Sequence, residues 1–272
     1  MKKIFLLFFL LLGVLSAWAY DVKVNGIYYN IDKKNKTASV TSGKPKYEGT
    51  VVIPESIGVN GTTYSVTSLG ERCFRGCSGL TSITIPNSVT SLGECCFYDC
   101  SGLTSITIPN SVKRLGNDCF FGCSGLTSIT IPNSVTSLGD YCFEYCSGLT
   151  SVTIPNSVTS LGNYCFSDCS GLTEVHVNRE TPPATGGKIF EACESLQTIY
   201  VPTGASANYE FDPWNAYKIV EEEVQSGITA VMAEGAANAP VYHLNGRRAG
   251  TSKNFSTLPK GIYIVKGKKV LR

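Results

Sequence analysis

The chain has 272 residues, a formal net charge of +2 and only 16% charged residues, against about 25% in ordinary globular domains. No block of basic or acidic residues stands out. Because nucleic-acid binding is driven by clustered Lys and Arg, nucleic acid is excluded as a partner. A membrane partner held by charge is disfavoured for the same reason.

Residues 1–19 predict a signal peptide. Lys2 and Lys3 precede an apolar run at 4–15, and Ala-Trp-Ala at 17–19 fits a small-x-small cleavage site. The run is shorter than the about 20 residues that a membrane-spanning helix needs. No later segment is long and apolar enough to span a bilayer. We therefore predict an exported chain without a transmembrane segment after cleavage.

Residues 20–62 predict an N-terminal β cap that merges into a first, irregular rung. Asn25-Gly26 is a strong hairpin signal between two short apolar strands. Val-Val-Ile-Pro at 51–54 then resembles the strand of the later repeats. Such caps cover the end of a stack, which would otherwise expose its core and an unpaired strand.

The middle of the chain, residues 63–202, is built from a repeat. The stretch CSGLTSITIPNSVTSLG returns every 23 residues, starting at Cys77, Cys100, Cys123, Cys146 and, in decayed form, Cys169. A fixed period of this length is typical of a solenoid, in which identical units stack and bury each other's apolar faces.

Each repeat contains one strand with the pattern L-x-x-I-x-I, as in Leu80, Ile83 and Ile85. Alternation along the strand turns the residue between the two isoleucines outward. Proline then ends the strand, because it cannot donate to a strand ladder. The pattern predicts an exposed polar strip on the strand face, which we name as one candidate partner surface: Thr84, Thr107, Thr130 and Thr153.

The other side of the rung is predicted to hold a short helix, at 94–100 in the first full repeat, with Cys96, Phe97 and Cys100 on its inner face. Variable positions on this side carry aromatic residues. They are predicted to form the main candidate partner surface, since exposed aromatic side chains commonly anchor protein interfaces: Tyr98, Phe121, Tyr141, Tyr145 and Tyr164. The alternative is that these rings pack locally between neighbouring rungs.

The string Cys-Phe-x-x-Cys-Ser-Gly-Leu-Thr-Ser-Ile-Thr-Ile-Pro-Asn-Ser-Val-Thr-Ser resembles the BspA-like class of leucine-rich repeats, over about residues 51–202. The resemblance implies a β-rich (mixed α/β) solenoid, a right-handed curved stack of 23-residue rungs. It also implies a secreted or surface protein that adheres to host proteins or other cells. The family usually has Ala where this chain has the first cysteine of each repeat.

Eleven of the twelve cysteines fall into two columns along the stack, and Cys95 stands outside them. Buried free cysteine behaves as a small hydrophobe, which favours a reduced core ladder. One or more disulfides remain open as the alternative, because rungs about 4.8 Å apart are within bridging range. Cys95 is expected to be more exposed. No metal site is predicted, since an open ladder of thiols lacks the local tetrahedral cluster of a zinc site.

No catalytic residue and no cofactor is predicted, and we expect the protein not to be an enzyme. The two histidines, His176 and His243, lie on different modules and have no nucleophile at a recognisable spacing. His176 occupies the outward position held by Thr84 in the first full repeat, so we expect it to be a solvated surface side chain.

Residues 203–226 predict a C-terminal cap and linker. Four aromatic residues are available to cover the last rung: Tyr209, Phe211, Trp214 and Tyr217. Residues 227–272 break from the repeat and predict a small β domain, with an Asn245-Gly246 turn.

The C-terminal strings Leu-Asn-Gly-Arg at 244–247 and Lys-Gly-Ile-Tyr-Ile-Val at 260–265 resemble sorting domains of the type IX secretion pathway. This implies recognition by outer-membrane export machinery. The alternative is a small accessory domain.

Together these features predict a secreted or cell-surface module that binds an extracellular protein or glycan. The alternatives are a structural protein of the envelope or matrix, or a polysaccharide-binding solenoid.

Overall fold

The structure is a computed structural model that describes residues 20–222 and the backbone of four further strands, at 240–243, 248–251, 262–265 and 268–271. The predicted signal peptide, residues 1–19, lies outside the described residues, as does the predicted turn at Asn245-Gly246.

Residues 20–222 form a stack of rungs built from short strands and turns, and the last four strands of the chain form a separate sheet. In chain order the strands are β1 (Val22–Val24), β2 (Ile27–Asp32), β3 (Thr37–Thr41), β4 (Gly49–Val52), β5 (Ser56–Val59), β6 (Thr62–Leu69), β7 (Leu80–Thr84), β8 (Ser91–Leu92), β9 (Arg114–Leu115), β10 (Ser128–Thr130), β11 (Ser137–Leu138), β12 (Ser151–Ile154), β13 (Ser160–Leu161), β14 (Glu174–Val177), β15 (Ala184–Thr185), β16 (Thr198–Pro202), β17 (Lys218–Glu222), β18 (Pro240–His243), β19 (Arg248–Thr251), β20 (Ile262–Val265) and β21 (Lys268–Leu271).

Two sides of each rung are strands that stack into sheets. The first sheet has the order β1-β2-β3-β6-β8-β9-β11-β13-β15, with β5 paired to β6, and the second has the order β10-β12-β14-β16-β17. In the second sheet Ile129 pairs with Val152 in parallel, 23 positions further on. The 23-residue period of the sequence is therefore the register of the stack, which confirms the predicted solenoid.

The N-terminal cap begins with the predicted hairpin. Strands β1 and β2 are antiparallel, and Asn25 and Gly26 between them have positive φ angles of 48° and 82°. Two consecutive residues with positive φ are what a type I′ turn requires. Strand β4 pairs in parallel with β7, so the strand predicted at 51–54 belongs to the stack.

A column of phenylalanine rings fills the centre of the core. Neighbouring rings from Phe74 to Phe166 are nearly parallel, with centroids 5.2 Å apart. Tyr47 packs on the first ring at 4.7 Å, and Trp214 packs edge-on against the last one, Phe190, at 5.8 Å. Because each rung buries its ring against the next, the core is continuous from one cap to the other.

The C-terminal cap is made by two 3₁₀ helices, Ser206–Tyr209 and Trp214–Ala216. Tyr209 and Trp214 have no exposed surface, and Tyr217 meets Phe190 edge-on at 5.8 Å. Three of the four aromatic residues predicted to cover the last rung therefore do so. Phe211 is the exception, since 51% of its surface is exposed.

The predicted helices of the repeats are wrong. Residues 94–100 and their equivalents form consecutive turns, so the third side of each rung holds no helix in the described part of the chain. We call this side the turn edge and define it as residues 71–77, 94–100, 117–123, 140–146, 163–169 and 187–193. The inward positions were predicted correctly, since Cys96, Phe97 and Cys100 are fully buried.

Candidate functional site

The turn edge is held together by backbone hydrogen bonds between rungs. The Phe97 N–H donates to the Cys119 carbonyl of the next rung at 2.8 Å, whereas the Cys100 N–H donates to the Phe97 carbonyl of its own rung at 3.1 Å. The same alternation repeats along the stack. An α-helix would direct every N–H along its own axis, so this division of donors is the physical reason that no helix forms.

Two residues per rung adopt the left-handed backbone conformation on this edge. In one rung they are Tyr141 and Tyr145, with φ of 57° and 59°, and two rungs earlier they are Cys95 and Asp99. Only Gly tolerates this conformation without cost, and Asn or Asp pay less than other residues. The backbone conformation at such a position therefore disfavours tyrosine.

Most aromatic side chains of the turn edge lie in pairs that bridge neighbouring rungs. The rings of Tyr98 and Phe121 are stacked at 4.5 Å and 8°, and those of Tyr141 and Tyr164 at 5.3 Å and 10°. Each of these rings has one face covered by its neighbour. Local packing between rungs, the alternative reading of the sequence, thus accounts for part of the aromatic surface.

Tyr141 and Tyr145 are nevertheless the most exposed members of this group, at 36% and 49%. Tyr145 contacts Phe121 only edge-on, with centroids 5.3 Å apart and planes at 67°. Among the five predicted aromatic residues, these two offer the largest surface to a partner.

Two cationic side chains of the protein lie over the first and the last of these five aromatic rings, Tyr98 and Tyr164. The Arg75 guanidinium carbon lies 4.5 Å from the centroid of Tyr98, and the Lys188 ammonium lies 5.7 Å from that of Tyr164. Both distances are in the range of cation–π attraction. No cation covers the ring of Tyr145 in the described structure, and this ring stays accessible to a partner.

Several carboxylates of the turn edge lie close enough to act on one another. Partial burial raises the pKa of Asp118, and the negative charge of Glu94 raises it further. Partial burial likewise raises the pKa of Glu144, followed by the charge of Asp168. The turn edge therefore combines exposed aromatic rings with carboxylates whose charge is not favoured by their surroundings.

The strand face carries the predicted threonine strip. Its four threonines are all exposed, and Thr130 pairs with Thr153 in register. Their hydroxyls form no hydrogen bond within the described residues. By contrast, the hydroxyls of the threonines three positions earlier in the repeat, such as Thr150 and Thr173, donate to the backbone of the preceding rung, at 3.4 Å and 3.0 Å.

His176 is not the solvated side chain that was predicted. Its ring stacks on Tyr200 at 4.6 Å and 9°, and its Nδ1 lies 2.7 Å from a carboxylate oxygen of Glu222. Glu174 lies on its other side, 3.6 Å from Nε2. The sequence spacing of 46 residues hides this contact, because Glu222 reaches it only through the stacking of the last rungs.

All twelve cysteines are free thiols in the described structure. The thiols of the second column, the later cysteine of each repeat, donate to the carbonyl of a phenylalanine in the preceding rung: Cys100, Cys123, Cys146, Cys169 and Cys193, at 3.0–3.2 Å. Burial raises the pKa of the Cys146 thiol to about 12. Cys95 is the most exposed of the twelve, although only 9% of its surface is accessible.

Within the described residues, no group of three or more His, Cys, Asp or Glu side chains is arranged to hold a metal ion. The described residues also contain no helix that is long and apolar enough to span a membrane.

A stack of 23-residue rungs in which the L-x-x-I-x-I pattern recurs defines a leucine-rich repeat protein. The BspA type leucine rich repeat region matches the chain over residues 60–173 and 93–212, which together cover more than half of its 272 residues. The chain belongs to the BspA-type leucine-rich repeat family.

Several solved structures are similar to this chain, and two of them are more than 25% identical with a TM-score above 0.5. A leucine-rich cell surface protein from Faecalibacterium prausnitzii is 29% identical with a TM-score of 0.53; the match covers 66% of this chain and 54% of that one. A leucine-rich repeat protein from T. pallidum is 26% identical with a TM-score of 0.55, covering 64% and 81% of the two chains. The chain thus spans about half the length of the first protein. No curated protein matches it.

Proposed function

We propose that this protein is a non-enzymatic, exported binding module whose turn edge recognises an extracellular protein. One observation carries the proposal: exposed Tyr141 and Tyr145 occupy left-handed positions. Earlier rungs have Asp118 in place of Tyr141, and Asp99 or Gly122 in place of Tyr145. Tyrosine there costs about 1–2 kcal/mol of conformational energy. A large exposed ring retained at that cost is explained by a contact that the ring makes with a partner.

We propose that the protein is exported to the cell surface, on the basis of its N-terminal and C-terminal segments. Residues 1–19 have the composition of a signal peptide, and the similar protein from Faecalibacterium prausnitzii is a cell surface protein. We propose residues 227–272 as a sorting domain that engages outer-membrane export machinery. Deleting them should leave the protein in the periplasm, as cell fractionation would report; unchanged surface display would contradict this role.

Binding is tested with the exported protein, lacking residues 1–19, against a panel of immobilised extracellular matrix proteins by biolayer interferometry. We expect at least one of them to bind, and Tyr141→Ala with Tyr145→Ala to weaken that binding at least tenfold. The matched control is Phe211→Ala, which removes an equally exposed ring from the C-terminal cap.

The control variant should bind like the wild type. Equal binding by the double variant would reject the turn edge as the interface. If the folded protein binds none of the matrix proteins in the panel, a structural role in the envelope or matrix is favoured.

A second candidate function is the binding of a neutral polysaccharide to the strand face. Five polar residues line one shallow groove on this face, and no charged residue lies among its lining residues: Thr107, Asn110, Thr130, Asn133 and Thr153. The three threonine hydroxyls are exposed and make no hydrogen bond within the described residues. Successive rungs lie about 4.8 Å apart, so the groove presents the same polar groups at regular intervals.

A glycan array tests this candidate. Thr107→Lys with Thr130→Lys should abolish binding of any neutral glycan that the wild type retains, because the longer side chains fill the groove. Ser124→Lys, at an exposed position outside the groove, should leave that binding unchanged. An array without a single neutral glycan bound would reject the candidate.

A further inference from the structure

Two buried thiols of neighbouring rungs lie in direct contact at the N-terminal end of the cysteine ladder. The sulfur atoms of Cys73 and Cys96 are 3.4 Å apart, and the two residues have 1% and 0% of their surface exposed. At the other end of the ladder, Cys169 and Cys193 also contact each other, but both thiols donate to phenylalanine carbonyls, at 3.1 Å and 3.0 Å. Neither Cys73 nor Cys96 donates to a carbonyl in the described structure.

Few strand pairs join the same two rungs. Strand β7, which follows Cys73, pairs with β4 of the preceding rung, but residues 103–106, at the equivalent position after Cys96, form no strand. Before the two cysteines, β6 and β8 share two residue pairs, Ser68 with Ser91 and Leu69 with Leu92. Strands β12 and β14 share four pairs. The contact between Cys73 and Cys96 thus lies between rungs that are joined by few strand pairs.

We propose that Cys73 and Cys96 form a disulfide that joins these two rungs, and that the other ten cysteines stay reduced. Equivalent residues of stacked rungs are about 4.8 Å apart, inside the Cα separation of about 4.4–6.8 Å that disulfides span. The sulfur atoms need to approach from 3.4 Å to about 2.05 Å. The adjacent rings of Phe74 and Phe97, stacked at 5.2 Å, hold the two turns at this spacing.

The reaction is a thiol–disulfide exchange with a protein disulfide, the oxidant of compartments in which secreted proteins fold. One cysteine, as the thiolate, attacks the incoming disulfide and releases one thiol of the oxidant. The second cysteine attacks the mixed disulfide and releases the other. The two cysteines lose two protons and two electrons in total, and the oxidant is reduced to a dithiol.

Burial explains both when the bond forms and why it lasts. Burial and the contact with Cys73 raise the pKa of the Cys96 thiol well above its usual value, so the folded pair reacts slowly. Exchange therefore takes place before the rungs close, and the closed rungs then protect the bond. The inference depends on the proposed export only for its oxidant and is independent of the turn edge as a binding surface.

Peptide mapping without reduction tests the bond. The protein lacking residues 1–19 is refolded in a glutathione redox buffer, free thiols are alkylated, and the product is digested with trypsin and chymotrypsin. Trypsin releases Cys73-Phe74-Arg75, which chymotrypsin shortens to Cys73-Phe74, and either peptide contains a single cysteine. We expect this Cys73 peptide to be linked to the fragment carrying Cys96, and two thiols fewer than the twelve to be alkylated.

The variant Cys96→Ala shows whether Cys73 is linked to Cys96 or to its neighbour Cys95. This variant should lose the link, leave the Cys73 peptide alkylated and give eleven alkylated thiols. A link from Cys73 to Cys95 in the variant, twelve alkylated thiols in the wild type, or a bond between Cys169 and Cys193 instead would each overturn the proposal. None of these results bears on the binding panel, so the two proposals fail separately.

Discussion

The two cysteine columns differ in what their thiols do. Cys123, in the second column, donates to the Phe97 carbonyl at 3.1 Å, whereas no carbonyl accepts from Cys119 of the first column in the described structure. Both residues are fully buried.

Cys123→Ala should therefore lower the free energy of unfolding more than Cys119→Ala does. Both variants lose the same atoms, but only the first loses a hydrogen bond, which is worth about 0.5–1.5 kcal/mol. Urea denaturation of the two variants measures the difference. Equal losses would show that the thiol hydrogen bonds contribute nothing.

The raised pKa of Glu144 predicts a stability that depends on pH. A carboxyl whose folded-state pKa is raised contributes most below its unfolded value, and that contribution is lost as the pH rises through the folded value. Glu144→Gln should thus raise the melting temperature at pH ~7 and have no such effect at pH ~3. The exposed Glu194 provides the control, since Glu194→Gln should change little at either pH. A melting temperature unchanged at pH ~7 would contradict the burial of Glu144.

At the scale of the rung, glycines determine how closely neighbouring rungs approach, and one of them follows the second cysteine of each full repeat. A Cβ added to Gly125 would lie 2.3 Å from the carbonyl oxygen of Ser101 in the preceding rung, and Gly102, Gly148 and Gly171 are equally close to theirs. The last rung has Ser195 at this position instead, so a Cβ is accommodated there, whereas at Gly125 it would clash.

Gly125→Ala should destabilise the protein by about 2 kcal/mol or more, because the added Cβ would force the backbone at Ser101 in the preceding rung to move. Ser195→Ala changes the equivalent position without adding a Cβ and should stay within about 0.5 kcal/mol of the wild type. Thermal unfolding of the two variants gives the comparison. A tolerated Gly125→Ala would mean that the rungs can separate freely.

The elements also show where sequence reasoning was sufficient and where it failed. The 23-residue period and the alternation of Ile and Thr predicted the strands, the register and the outward strip, because each follows from local chemistry. The helix at 94–100 was wrong because its apolar spacing of i, i+1 and i+4 also fits a set of turns. The choice is made by hydrogen bonds between rungs, such as that from Phe97 to Cys119, which one repeat alone does not contain.

The candidate surfaces were predictable only in part for the same reason. The sequence placed the aromatic residues at the variable positions of the repeat. It could not distinguish Tyr145, which is 49% exposed, from Tyr98, whose ring is stacked between Phe121 and Arg75. Likewise the contact of His176 with Glu222 could not be predicted, because it forms only when β14, β16 and β17 stack on one another.

At the scale of the whole molecule, stability depends on the aromatic residues that close the stack. Trp214 is fully buried and lies against Phe190 and Tyr209. Trp214→Ala should cost about 3–5 kcal/mol, as for other large aromatic side chains in cores. Hydrogen exchange measured by mass spectrometry should show faster exchange in β16 and β17 first. Uniform acceleration along the stack would indicate a single cooperative unit.

The central claim, that the turn edge is the interaction surface, is tested most directly by hydroxyl-radical footprinting with and without a bound matrix protein. In the free protein Tyr145 and Tyr141 should be oxidised rapidly and the buried phenylalanine column should not. On binding, oxidation of both tyrosines should fall severalfold, while His176 and Tyr200 on the strand face keep their rates. Protection of His176 and Tyr200, with Tyr141 and Tyr145 unchanged, would contradict the claim.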